Sequence, residues 1–166
     1  LFLSGTVFDT QFKNLIQAQG NPLKYQNVSS SRTVGAEFTT NYQDTTHFLS
    51  YSFSAGYQEP KDVELNNWLI RRPLRTASFR INKEFNDKLE GHLELVHTGD
   101  RRDRIFGGQY TTLGGYTLLN LVGRLKLNEN SQFFTRVDNA TSVSYQTAYS
   151  YYTQSPTINI GYQTKF

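Results

Sequence analysis

From end to end this sequence alternates apolar and polar side chains with a period of two, and no segment carries the 3.6-residue period of a helix. A chain so patterned is confined to sheets with one apolar and one polar face. The last stretch shows the pattern without a break. Ile158, Ile160, Tyr162, Thr164 and Phe166 share one face, and Asn159, Gly161, Gln163 and Lys165 the other. Likewise Leu49, Tyr51, Phe53, Ala55 and Tyr57 oppose Ser50, Ser52, Ser54 and Gly56. The fold class expected is all-β and antiparallel.

The pattern divides into about eight strands: 1–16, 25–40, 49–57, 77–85, 89–96, 119–127, 131–144 and 157–166. In the seventh, Phe133, Thr135 and Val137 face one way and Arg136 and Asp138 the other, an assignment that Phe134 blurs. The connections 41–45, 85–88 and 128–131 are short and rich in Asn, Asp and Ser. Those at 58–70, 101–113 and 145–156 are long. Short turns at one end and long loops at the other mark outer-membrane barrels, whose long loops are extracellular.

No apolar run reaches the roughly 18 residues of a membrane helix, but a barrel strand crosses with only four or five lipid-facing side chains. Alternation alone does not say which face is inside. A soluble sandwich or lipocalin-like barrel would turn the same apolar residues inward. Aromatic residues near strand ends (Tyr57, Phe85, Tyr162, Phe166) favour the membrane, where such rings form girdles. The one charge on the apolar face of the fourth strand, Lys83, lies near its end, where it can snorkel. The absence of Cys excludes disulfide scaffolds, and a net charge of +3 without a basic domain or motif gives no reason to expect nucleic acid.

Several strings, in order, resemble TonB-dependent outer-membrane receptors: Phe12-Lys13-Asn14-Leu15-Ile16, Tyr25-Gln26-Asn27-Val28, Val34-Gly35-Ala36-Glu37-Phe38, Leu69-Ile70-Arg71-Arg72-Pro73, the block 113–121, and Arg136-Val137-Asp138-Asn139-Ala140. Tyr145, Thr147, Tyr149 and Tyr151 resemble the last extracellular loop of the cobalamin receptors, the nearest likeness within the family. Ser155-Pro156-Thr157 departs from the Pro-Gly-Arg that many members carry before the final strand. The resemblance implies residues 1–166 as the carboxy-terminal third of a 22-stranded barrel in a bacterial outer membrane. The plug and the TonB-binding segment would lie outside this chain. It implies TonB-energised uptake of a scarce bulky nutrient, cobalamin first and a siderophore second, with no resident cofactor. Partners would be the rest of the barrel and plug, TonB, and outer-membrane lipid with its lipopolysaccharide. Leu1 reads as the inside of a strand and Phe166 as a true terminus and part of the barrel-insertion signal. The alternative is a self-contained small outer-membrane barrel with a structural or adhesive role.

Candidate sites follow from residue type. Tyr110, Tyr145, Tyr149, Tyr151 and Tyr152, in the last two long loops, offer rigid amphipathic surface to a corrinoid or siderophore, or form a headgroup girdle. Arg71, Arg72, Arg101 and Arg102, with Arg75 and Arg104 nearby, suit lipopolysaccharide phosphates or plain solvation. Glu90, His92 and Glu94 share one face at a spacing open to metal, but a wet lumen wall is the expectation, and His97 has the opposite parity. His47 and Ser50 also differ in parity. With no triad, phosphate loop or acid pair, no enzyme is expected.

Overall fold

The computed structural model describes residues 1–166 except Gly20, Asn21, Leu23, Gln154 and Phe166, and leaves aside the side chains of Leu15, Gln17, Ala18, Gln19, Val28 and Ser29. The described residues form thirteen strands: β1 (Phe2–Gln19), β2 (Lys24–Asp44), β3 (Leu49–Asp62), β4 (Asn67–Trp68), β5 (Arg75–Glu84), β6 (Leu89–Thr98), β7 (Arg101–Arg104), β8 (Tyr110–Leu113), β9 (Tyr116–Lys126), β10 (Ser131–Asp138), β11 (Gln146–Ala148), β12 (Tyr151–Tyr152) and β13 (Thr157–Thr164). Eight of them make one antiparallel meander in the order β1-β2-β3-β5-β6-β9-β10-β13, with β4 added to the end of β3. These match the eight strands read from the pattern, except that the seventh stops at Asp138 instead of running to 144, because Asn139 takes a left-handed φ of 52° and turns the chain. The long connections differ from expectation: β3 runs on to Asp62, and the other two fold into the hairpins β7–β8 and β11–β12. The first short turn lies at 45–48, because β2 stays paired through Asp44 opposite Leu49.

Period two carries each side chain to a fixed face, and the register aligns those faces across the sheet. One row runs Tyr42, Tyr51, Ile81, Leu93, Leu121 and Val137, and the next Thr40, Phe53, Phe79, Leu95 and Leu119. This face is uncovered. Val7 is 83% exposed and Ile160 77%, and the buried aliphatic side chains of the core are Leu69 and Leu113, both among the loops. A soluble sandwich would cover that face with a second sheet. From Leu49 to Tyr57 the apolar run spans roughly 27 Å along the strand, or about 20 Å along the axis of a tilted barrel, against an apolar band of about 25 Å. Lys83, at its edge, turns its ammonium to the His47 carbonyl in the adjacent turn.

The opposite face is polar. Arg80 donates to Glu94 (2.6 Å), Asn120 to Glu94 (3.1 Å), Asn82 to Ser50 (3.0 Å), and Ser54 bonds Ser78 (2.8 Å). The short serines and Gly56 leave room that longer side chains such as Arg80, opposite Ser52, fill. Phe134 belongs to this face. It lies opposite Gly161, where any Cβ would meet its ring at 2.1 Å, so a side chain there would displace the ring from its seat. Phe133 faces the other way, 5.1 Å from Tyr162 between ring centroids.

Among the described residues β1 and β13 do not pair with each other, so the sheet is open, with one 18-residue and one 8-residue edge. The chain by itself does not form the small closed barrel of the alternative reading.

Candidate functional site

The long connections gather at one end, and a single buried carboxylate ties them. Asp103, on β7, is 0% exposed. Its oxygens accept from Arg71 Nε (3.0 Å) in the first long connection, from the Arg104 amide (2.8 Å) within its own hairpin, and from the Tyr149 amide (2.6 Å) in the third. Arg71 holds φ near 58°, and its amide donates to the Arg102 carbonyl at 2.7 Å. An anion accepting several N–H groups is the way a buried charge is tolerated. Arg101, 5% exposed, donates to the Gln146 and Thr147 carbonyls and lies 5.2 Å from the Tyr116 ring, itself 4.1 Å from Tyr145.

Asn139 opens the third connection in the left-handed region, φ 52°. Its amide donates to Asn120 Oδ1 (3.0 Å), its Nδ2 to the Val143 carbonyl (2.9 Å), and its Oδ1 accepts from the Val143 amide (3.0 Å). Asn is among the few residues at ease there.

On this support stand the tyrosines. Tyr151 and Tyr152 are well exposed, and Tyr149 partly. Tyr145, Tyr149 and Tyr152 line a cleft of about 380 Å³ with Thr111, Ser144 and Gln146. Tyr110 lies apart, its ring 4.7 Å from the Arg102 guanidinium and 4.8 Å from that of Arg104, whose Nη2 donates to its hydroxyl at 2.7 Å. The four arginines singled out in the sequence are dispersed in role. Arg71 and Arg101 are engaged within the loops, Arg102 reaches Asn67 at 3.4 Å, and Arg72 is exposed with no hydrogen bond or ion pair among the described residues. Phe166 lies outside the described residues.

Glu90, His92 and Glu94 share the polar face, each engaged by a neighbour. Arg124 lies 3.6 Å from Glu90, His92 Nδ1 donates to Asn82 (2.6 Å), and Arg80 holds Glu94. Among the described residues no group of three His, Cys, Asp or Glu is placed to hold a metal ion. His97, on the apolar face, bonds Thr117 at 2.9 Å. At the short-turn end Asp44 accepts from the His47 ring (2.7 Å) and from the amides of Thr46 (2.9 Å) and His47 (3.1 Å). The His47 hydrogen bond, followed by those amides, holds its carboxyl below the usual carboxylate range.

Sequence reasoning missed Asp103 and Asn139. Asp103 was lost among arginines, although one acid within an Arg-Arg-Asp-Arg run is itself a sign of an internal ion pair. Asn139, after a strand-ending Asp, carried a turn signal.

Residues 1–140 match the model of the family described as TonB dependent receptor-like, beta-barrel. Over 124 residues, 75% of this chain, the sequence is 27% identical to the vitamin B12 transporter BtuB of Vibrio vulnificus (strain YJ016), of which that match spans 19%. The fold is similar to that of the siderophore receptor PiuA from Acinetobacter baumannii, with TM-score 0.78, 16% identity, and coverage of 99% of this chain and 26% of that one. It is also similar to FpvA of P. aeruginosa bound to heterologous pyoverdines, with TM-score 0.81, 13% identity, and coverage of 99% and 24%. The chain thus spans about a fifth to a quarter of these relatives.

Proposed function

Since this chain belongs to the family of TonB-dependent receptor-like β-barrels, we propose that it builds part of the wall and part of the ligand platform of an outer-membrane receptor. That receptor captures a scarce bulky nutrient and admits it by TonB-energised movement of the plug. The short turns then face the periplasm and the long connections the exterior, the uncovered apolar face meets lipid, and the polar face meets a plug supplied by the rest of the receptor. The observation that carries this reading is the end of the sheet where Asp103 and Arg101 lock three connections together beneath exposed Tyr151 and Tyr152. A preformed surface of rigid aromatics takes up a bulky ligand with little ordering cost.

A corrinoid is the first candidate, in keeping with sequence likeness to a vitamin B12 transporter, and an iron chelate the second. No covalent chemistry is involved. Lipopolysaccharide contact by these loops falls to the exposed Arg72 and the partly buried Arg102, since Arg71 and Arg101 are engaged within the loops.

The test is equilibrium binding to the complete receptor in detergent, with cyanocobalamin and ferric siderophores as probes. Binding in the micromolar range or tighter is expected, and the double change Tyr151→Ala, Tyr152→Ala weakens it about tenfold or more. Failure of every probe to bind the wild-type receptor would overturn the reading.

A further inference from the structure

One continuous run of hydrogen bonds joins the polar face of the sheet to the third long connection. It starts on β5 with Arg80, whose Nε donates to Glu94 Oε1 at 2.6 Å. The other oxygen of that carboxylate, Oε2, accepts from Asn120 Nδ2 on β9 at 3.1 Å. Asn120 Oδ1 in turn accepts the Asn139 amide at 3.0 Å, just past the end of β10. From there the Asn139 side chain closes on both the amide (3.0 Å) and the carbonyl (2.9 Å) of Val143. Shortly after stands Tyr145, whose ring lies against Tyr116 and whose side chain lines the tyrosine cleft.

Each link depends on the one before it. Asn139 is 6% exposed and holds φ at 52°, so its amide has little water to turn to and needs an acceptor. A carboxamide has one accepting and one donating end. Reversed end for end, Asn120 would set its NH2 against the Asn139 amide and its oxygen against a carboxylate. The ionised Glu94 therefore fixes which end of Asn120 faces the connection. Arg136 is held by Asp138 at 2.8 Å, which leaves Arg80 as the cation hydrogen-bonded to Glu94. The Arg80 side chain is 59% exposed on the polar face, against 26% for Glu94. One end of the run is thus open to whatever fills the lumen, and the other lies inside the loop platform.

We propose that Glu94 and Asn120 are positioning residues for the tyrosine-bearing connection, passing a displacement of Arg80 at the lumenal wall to Asn139 and so to the stance of Tyr145. The element with two arrangements is the Asn120 carboxamide, and Arg80 biases it through Glu94. What moves Arg80 is a competing carboxylate on the segment that fills the lumen of the complete receptor. By reciprocity, a ligand that fixes Tyr145 tightens the hold of Glu94 on Arg80 and withdraws it from that segment. The proposal rests on the receptor reading above and deepens it, by linking the platform to the lumen through the barrel wall itself.

Hydrogen–deuterium exchange of the complete receptor in detergent tests the run without any ligand. Arg80→Ala, Glu94→Ala and Asn120→Ala are compared with wild type and with the double variant Glu94→Ala, Asn120→Ala. Heat-modifiable migration on gels confirms that each is folded. Glu94→Ala and Asn120→Ala should each speed exchange over 139–145 about 3- to 10-fold, the loss of roughly one hydrogen bond, and Arg80→Ala about 2- to 3-fold. Glu94→Gln, which keeps one acceptor oxygen for Arg80 or Asn120 but not for both, should fall between wild type and Glu94→Ala. In the Asn120→Ala background, Glu94→Ala should add no more than about 1.5-fold. Exchange over 139–145 that is unchanged in Arg80→Ala or in Glu94→Ala overturns the proposal, and so does a Glu94→Ala effect that persists in full without Asn120. Titration with cyanocobalamin and ferric siderophores then separates the two readings. A probe that binds wild type should bind Glu94→Ala about 3- to 10-fold more weakly, and equal affinity overturns the positioning role. If no probe binds wild type, the receptor reading falls, while the exchange result still decides the run of hydrogen bonds.

Discussion

Replacing Asp103 by Ala should loosen the loop platform without unfolding the barrel. The carboxylate, wholly buried, accepts from Arg71 Nε and from the amides of Arg104 and Tyr149. Arg71 is 54% exposed, so water recovers most of that bond. The two amides are the larger loss. Hydrogen bonds to a charged acceptor contribute about 1.5 to 3 kcal/mol each, and partial rehydration of the loop offsets some of that. A net cost of about 2 to 4 kcal/mol results, confined to the contact between β7–β8 and β11–β12. The opening equilibrium of the last connection then rises about 30- to 900-fold. Hydrogen–deuterium exchange of the complete receptor reads this directly. Peptides covering 145–153 should exchange faster in the variant, while those from β6, β9 and β13 keep their protection. Asp103→Asn, which retains one acceptor oxygen, should fall between. If exchange over 145–153 is unchanged in Asp103→Ala, the carboxylate does not hold these loops and the platform argument fails.

Two further outcomes follow from the faces and the turns. Leu93, midway along the apolar face between Leu89 and His97, should cost about 2 to 4 kcal/mol as Leu93→Arg in lipid-bilayer refolding of the receptor, whereas the lumenal Ser52→Arg should cost far less; equal costs would mean the faces are assigned the wrong way. Asp44, whose carboxyl titrates below its ordinary value, contributes stability to its turn that is fully present above about pH 4, the unfolded value, and is lost as pH falls through the lower folded value. Protection of the Thr46 and His47 amides should therefore hold at pH 5 and above and decline only in more acidic solution, and a decline centred near pH 6 would contradict this.

What the sequence revealed was whatever depends on near neighbours. Alternation placed the eight long strands and their faces, and it placed Lys83 at an edge where its ammonium finds the His47 carbonyl. It left Phe134 unresolved, because the reason for an inward phenylalanine is Gly161, on another strand. The site was harder to read. Arg71 is 32 residues from Asp103 and Tyr149 is 46, so nothing local distinguishes the hub from a solvated charge run. Arg101 looked like its neighbours Arg102 and Arg104, and only the carbonyls of Gln146 and Thr147 draw it inward. The hairpins within the long connections escaped notice because strands of two to four residues are too short to display a period.

The two open edges act as a gauge during assembly. Within a bilayer an unmatched peptide edge is expensive, so each edge recruits a strand that can satisfy it. An 18-residue edge joined to an 8-residue one would leave ten positions of β1 unmatched. The two edges differ in reach: β13 is matched by a strand that merely crosses the bilayer, whereas the far part of β1 projects beyond it on the long-loop side, where water satisfies the positions that a shorter neighbour leaves unpaired.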